Sequence, residues 1–422
     1  MSNVKLPEIP EKIAQFVDRA ERDCLEAFAR VEAVERANTR KIIRAFQQER
    51  VSGRHFAPTT GYGYDDIGRD ALSNLFCHAM GTESALVRPQ IASGTHALAL
   101  CLYGVLRPGD ILLSAAGKPY DTMEEVIGLS GEAGQGSLRE FGIGYRQVDL
   151  LEDGSVDLEG VLRAMTPEVK LVLLQRSRGY DWRPSLSVRE IDRVIAAIHE
   201  KSAEVCVMVD NCYGEFTDLR EPQADLLAGS LIKNPGGGIA PTGGYIAGKK
   251  RFVDKVAFRL TSPGIGAEVG SYAGGYQPFY QGLFLAPHTV AQAVKSAILA
   301  ARAFELAGFQ VHPNFDSPRG DIIQAIRFED PEKLIAFCQA IQACSPVDAE
   351  ALPLPWDMPG YQHQVIMAAG TFVAGASIEL SADAPIRPPY IAYLQGALTY
   401  AHGRMALEGA LTTLAQKGML SL

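Results

Sequence analysis

The sequence predicts an α/β fold built on a mostly parallel central sheet, followed by a smaller C-terminal α+β unit. Three observations predict it. Short apolar segments alternate with helix-like ones through the first two thirds of the chain. Those segments are apolar at nearly every position, as strands covered on both faces must be. Past about residue 285 the pattern changes to one long helix followed by separated strands and helices.

Residues 1–50 read as an N-terminal helical arm. Ile13, Phe16, Val17, Ala20, Cys24, Phe28 and Val31 recur at three- and four-residue steps, with charges between them. One or two helices are expected over 11–50, serving packing or dimer contact. A large α/β domain is expected over 51–285. Its strands are expected at 110–115 (DILLSA), 145–150 (YRQVDL), 169–175 and 204–210 (EVCVMVD), and its helices at 121–128, 157–165 and 187–201. Ser187 with Glu190 three residues on is a capping-box pattern. A small domain over 286–422 begins with a long helix from Pro287 to Gly308. Strands are expected within 317–330 and 375–387, and helices at 331–343 and 388–402.

Composition narrows the function. The 422 residues are 47% hydrophobic and 21% charged, with a net charge of −9, an ordinary globular balance. No stretch concentrates Lys and Arg, which argues against nucleic acid as a partner. No apolar run reads as a membrane span or signal core. The seven cysteines are scattered and form no CxxC pair, which fits reduced thiols and a cytoplasmic setting. Neither His/Cys spacing nor an HExxH suggests a metal, and no GxGxxG or GxxxxGK[ST] is present.

The chemistry gathers at predicted strand ends, where parallel α/β sheets bind ligands. In VMVDNCYGEF, Asp210 ends an apolar strand. In GSLIKNPGGG, Lys233 stands between an apolar run and three glycines. A lysine there needs a partner or a lost proton, and a deprotonated lysine attacks carbonyls. The pair suits pyridoxal 5′-phosphate, with the lysine on the aldehyde and the carboxylate on the pyridine nitrogen; Asp210 alone would equally serve as a cap or turn residue. Ser93, Gly94 and Thr95 precede an apolar helix whose free amides can cradle a phosphate. The same residues can simply cap it, and Ser230 adds a second hydroxyl. His96 either faces the ligand or packs on the helix. Tyr120, in GKPYDT, either stacks on a planar ring or is an ordinary half-buried tyrosine. TTGYGYDDIGRD crowds Tyr62, Tyr64 and Arg69 into one loop within reach of a phosphate or a substrate. In QRSRGYDWRPS, Arg176 and Arg178 either bind an anion or pair with the acidic loop after Asp210. Arg387 is either a substrate-carboxylate ligand or a surface ion pair.

Together these stretches, with TGGYIAGK, RLTSPGIGAEVG, QGLFLAPH and SIELSADAPIRPPY, resemble the methionine γ-lyase-like family of fold-type I pyridoxal phosphate enzymes. Its members are often called aluminium resistance proteins and are cystathionine β-lyase-like. The resemblance runs over roughly residues 55–400. It implies Lys233 as the Schiff-base lysine, Asp210 as the pyridinium partner, and Ser93, Gly94, Thr95 and Ser230 as the phosphate site. Tyr120 is similar to the ring-stacking tyrosine and an acid/base for the leaving group, and Arg387 to the substrate-carboxylate arginine. Tyr62 falls where such lyases carry a Tyr-x-Arg donated by the neighbouring subunit. Here the third position is Tyr64, so that phosphate contact is lost unless Arg69 or another arginine replaces it. Ala384 stands where glycine is expected. The implied activity is β- or γ-elimination, or replacement, on a sulfur amino acid or one with another leaving group. The implied assembly is a homodimer or homotetramer with shared active sites. An aminotransferase- or aldolase-type reaction, or a non-catalytic binding protein on this fold, are the alternatives.

Overall fold

A computed structural model describes residues 8–358 and 361–421; the first seven residues of the expected arm lie outside them. Seven strands form the large sheet: β1 (Ser84–Arg88), β2 (Ile111–Ser114), β3 (Gly144–Gln147), β4 (Val169–Gln175), β5 (Cys206–Asp210), β6 (Leu226–Ser230) and β7 (Gly244–Gly248). Their order is β1-β7-β6-β5-β4-β2-β3, and only β7 runs antiparallel to its neighbours. β1, β6 and β7 lie outside the segments expected as strands.

Alternation along these strands feeds two cores. Val172, Leu174, Val207, Val209 and Leu227 face one layer. Leu171, Leu173, Cys206, Met208 and Leu226 face the other. Both layers are covered, which is why the strands carry almost no polar residue. The helix Gly94–Val105 lies on the second face, between β1 and β2 in the chain.

The arm is a single helix, Glu11–Gln48, packed along the helix Gln277–Leu306. That long helix starts ten residues before the expected Pro287, which sits inside it. Proline is a common first-turn residue, so the earlier Pro278 is the true start signal. By length and composition the helix could cross a membrane, against the expectation of no such run, but 72% of its most apolar window is buried inside the protein. At Val188–Lys201, Ser187 Oγ accepts from Glu190 N (3.1 Å). The Glu190 carboxylate instead accepts from Val156 N (2.9 Å), so only half of the capping box forms.

A second, antiparallel sheet holds β8 (Gln310–His312), β9 (Ile323–Arg327), β10 (Val365–Ala368), β11 (Ser381–Pro385) and β12 (Ile391–Gln395), in the order β10-β11-β12-β9-β8. The expected helix at 388–402 is thus a correction. Its apolar run is the central strand β12, and the helix is Tyr400–Gln416, capped by Thr399. A short apolar run does not itself distinguish helix from strand, and Pro388-Pro389 favours extended backbone before it.

Candidate active site

The C-terminal ends of β1, β2, β4, β5 and β6 share one edge of the large sheet, and the loops beyond them carry the polar cluster. Asp210, the last residue of β5, is buried and accepts from Cys212 N (3.1 Å). Burial raises its pKa, and the nearby Lys233 ammonium opposes the rise. Lys233 follows β6, and its Nζ stands 4.1 Å from the centre of the Tyr213 ring. Burial works against the Lys233 charge, but Cys212, Tyr213 and Asp210 outweigh it and hold the pKa above the usual lysine range. The lysine therefore has partners and keeps its proton in this arrangement, rather than standing as a bare amine.

The three glycines after Lys233 meet protein. A Cβ on Gly236 would lie 1.8 Å from Leu231 O, and one on Gly282 would lie 2.3 Å from Gly236 O. Gly237 and Gly238 take φ of 56° and 76°, a region that favours glycine. The turn thus closes against the long helix and sets the lysine in place from behind.

At the helix Gly94–Val105, Ser93 Oγ accepts from His96 N (3.1 Å) and Thr95 Oγ1 bonds Thr122 Oγ1 (2.8 Å). A Cβ on Gly94 would sit 3.3 Å from Cys212 Sγ and 3.5 Å from Ser230 Cβ. The bare backbone at Gly94 therefore lets the helix start, Cys212 and Ser230 converge. His96 Nδ1 accepts from Ala92 N (3.0 Å), and burial lowers its pKa, so it serves the turn as a neutral ring.

A tyrosine wall completes the cluster. Tyr120 Oη bonds Tyr361 Oη (3.0 Å), and the Tyr120 and Tyr180 rings lie 6.0 Å apart. Tyr180 also contacts Tyr361 and Tyr393. Tyr180 Oη donates to Asp383 Oδ2 (2.9 Å), and Gln395 Nε2 donates to Asp383 Oδ1 (2.8 Å). Burial lifts the Asp383 pKa to about 6 against those hydrogen bonds and Lys233. Burial also keeps Tyr120 far above the usual phenol range. Arg387 is partly exposed, bears electrostatically on Asp181 and Tyr393, and forms no ion pair among the described residues. It is not a surface salt bridge.

Several expectations are redirected. Arg69 is buried and braces its own loop: Nη1 donates to Gly63 O (2.8 Å) and Nε to Asp70 (2.9 Å). It is spent on structure and unfit to replace the missing phosphate arginine. Tyr62 and Tyr64 are 70% and 63% exposed, and their ring contact is with each other. One protomer does not bring them onto the Lys233 cluster. Arg176 is wholly buried, pairing with Glu221 (2.7 Å) and donating to Asn211 Oδ1 (2.8 Å). Arg178 pairs with Asp321 (3.5 Å) and donates to His312 O (2.6 Å). Both arginines are internal braces. Ala384 packs in the core, paired with Ile366, while the adjacent Asp383 faces the tyrosines.

Sequence reasoning missed Cys212, Tyr213, Tyr180, Tyr361, Tyr393 and Asp383. The first three follow strand ends, and the rule that picked Asp210 reaches them. The last three come from the C-terminal part and have no local signal.

The family model for methionine gamma-lyase matches residues 13–415. The uncharacterized protein YnbB of Bacillus subtilis is 51% identical over 416 residues, covering 98% of each chain. The solved structure of a carbon-sulfur lyase involved in aluminum resistance from Clostridium novyi superimposes with a TM-score of 0.92 at 49% identity, covering 96% of each chain. The L-methionine gamma-lyase of Treponema denticola is 26% identical over 232 residues, 54% of this chain and 53% of its own. The pyridoxal-5′-phosphate dependent protein YhfS of Escherichia coli shares the fold, with a TM-score of 0.59 at 16% identity over 92% of this chain and 97% of its own.

Proposed function

From the premise that this chain belongs to the methionine gamma-lyase family, we propose that it eliminates a leaving group from Cβ or Cγ of an amino acid, a sulfur amino acid foremost. Its cofactor is pyridoxal 5′-phosphate. The residues fit that group: an ammonium and a carboxylate end adjacent parallel strands, and the Gly94 cradle leaves open the space that a Cβ would fill. When bound, pyridoxal phosphate supplies an electron sink that makes the amino acid Cα proton acidic.

In this reading Lys233 Nζ would hold the cofactor and, once released from it by the substrate amine, would carry the Cα proton. Asp210, buried and close enough to feel the Lys233 charge, would keep a proton on the ring nitrogen. Ser93, Gly94, Thr95 and Ser230 bind the phosphate through hydroxyls and helix-start amides. Tyr120 covers the ring and delivers a proton from Oη to the leaving group; its high pKa keeps that proton available. Arg387 takes the substrate carboxylate as a two-pronged donor. Tyr62 and Tyr64 serve the site of a second copy, so the working form is a homodimer or homotetramer. The tyrosine wall and the small sheet limit water around the reacting carbon.

The observation that carries the reading is Lys233 over Tyr213 beside Asp210, at the ends of β6 and β5. The test is the visible spectrum before and after borohydride, with peptide mass mapping. A yellow protein that bleaches with the pyridoxyl mass on the Lys233 peptide is expected. Incubation with sulfur amino acids should then release keto acid and free ammonia. Transfer of the amino group to a second keto acid instead would overturn the elimination reading. A colourless protein that cannot be reconstituted would overturn the enzyme.

A further inference from the structure

We propose that Arg319 heads a binding site for a small aliphatic monocarboxylate, in the apolar cavity between the helices Glu11–Gln48 and Gln277–Leu306. The cavity is about 250 Å³, walled by Val31, Val34, Val290, Val294 and Ile298, and Arg319 closes one side. All three guanidinium nitrogens of Arg319 are buried, and none has a hydrogen-bond partner among the described residues. A buried, unpaired charge is costly, and proteins rarely keep one without a counter-charge.

None of the acids that bear on Arg319 hydrogen-bonds its guanidinium. Asp321 pairs with Arg178 (3.5 Å) and accepts from Arg178 N (3.1 Å). Glu305 faces Arg302 (3.4 Å). His312 is neutral, since burial and the neighbouring arginines push its pKa down to about 4. Glu305 Oε1 is itself buried without a partner among the described residues, and Arg178 adds positive charge beside Arg319. Glu35, at the cavity rim, is paired with His288 Nδ1 (2.7 Å).

Two features set the ligand class. The aliphatic walls accept a chain with no polar atoms. Asp218 also lines the cavity, with Oδ1 accepting from Leu219 N (2.6 Å), and a second acid on the ligand would be repelled by it. A single carboxylate on Arg319 with its tail along Val290, Val294 and Ile298 satisfies both. A second cavity of about 500 Å³, lined by Ser185, Asn314 and Ser317, also borders Arg319. That polar chamber offers the competing solution, hydration of the guanidinium by water.

Calorimetric titration of the cofactor-loaded protein with hexanoate and with hexanol separates the two. Hexanoate is expected to bind about tenfold or more tightly than hexanol, which lacks the charge. Arg319→Met should abolish the preference. Val34→Trp, at a partly exposed helix position, should weaken hexanoate by about tenfold or more through lost space, and keeps the test open if Arg319→Met fails to fold. Equal affinity for hexanol, no hexanoate binding at millimolar concentration, or hexanoate binding unchanged in Val34→Trp would each overturn the site. The last would mean an anion held at Arg319 from the polar chamber.

Discussion

Glu215→Gln isolates a buried acid directly behind the cluster. Glu215 is fully buried; its Oε1 accepts from Tyr245 Oη (2.8 Å) and its Oε2 has no partner among the described residues. Burial, chiefly, and the charge of Glu221 lift its pKa from an ordinary 4.5 to about 8, against the Tyr245 hydrogen bond and Arg176. The folded protein therefore keeps this carboxyl protonated while the unfolded chain ionises. The favourable contribution is complete below pH 4.5, shrinks by about 1.4 kcal/mol per pH unit, and is lost as pH passes 8. The full span is about 5 kcal/mol. A glutamine has nearly the same shape and no proton to lose. Subtracting wild-type from variant stability cancels every other titrating group. The difference should grow in favour of Glu215→Gln by about 4 kcal/mol between pH 5 and 8, then level off. Urea unfolding at pH 5, 6, 7, 8 and 9 reads it. A difference constant within about 1 kcal/mol across that range would refute the neutral carboxyl.

Three further perturbations probe other parts. Arg387→Leu should raise KM for an amino acid substrate by about ten- to a hundredfold, with a smaller fall in kcat, since a carboxylate clamp acts in both ground and transition states; an unchanged KM would move the carboxylate site elsewhere. Arg176→Met strands Glu221 in the interior and should cost about 3–5 kcal/mol of stability by chemical denaturation; a loss under about 1 kcal/mol would show the network re-forming without it. Gly94→Ala puts a methyl against Cys212 and Ser230, and should weaken pyridoxal phosphate binding in an absorbance titration while leaving secondary structure by circular dichroism intact; unchanged affinity would remove Gly94 from the phosphate cradle.

What the sequence carries about this site divides along a physical line. Asp210, Lys233, Ser93 and Tyr120 were legible because each closes a buried strand or opens a helix, and those boundaries are local events. Chain order and apolar runs suffice to place them on one edge of a parallel sheet. The partners of Tyr180 were not legible. Asp383 and Tyr393 reach it from the second sheet, where β12 pairs between β11 and β9, and Tyr361 reaches it from the segment before β10. Reading 388–402 as a helix forfeited that sheet, and with it the whole upper wall.

The arginines teach a related lesson. Arg176 and Arg178 looked like anion ligands because guanidinium groups just past a strand end resemble an anion site. Their partners, Glu221 and Asp321 among them, lie 45 and 143 residues away from Arg176 and Arg178. Whether a cation is free to bind a ligand depends on whether a distant acid or carbonyl already holds it, and sequence proximity is blind to that. The same test works in reverse. Of the arginines singled out in the sequence, Arg387 alone has no ion pair or side-chain hydrogen bond among the described residues, and it bears electrostatically on Asp181 and Tyr393. Its freedom supports the proposed carboxylate role better than its position in SADAPIR does, because an uncommitted guanidinium is available to an incoming anion.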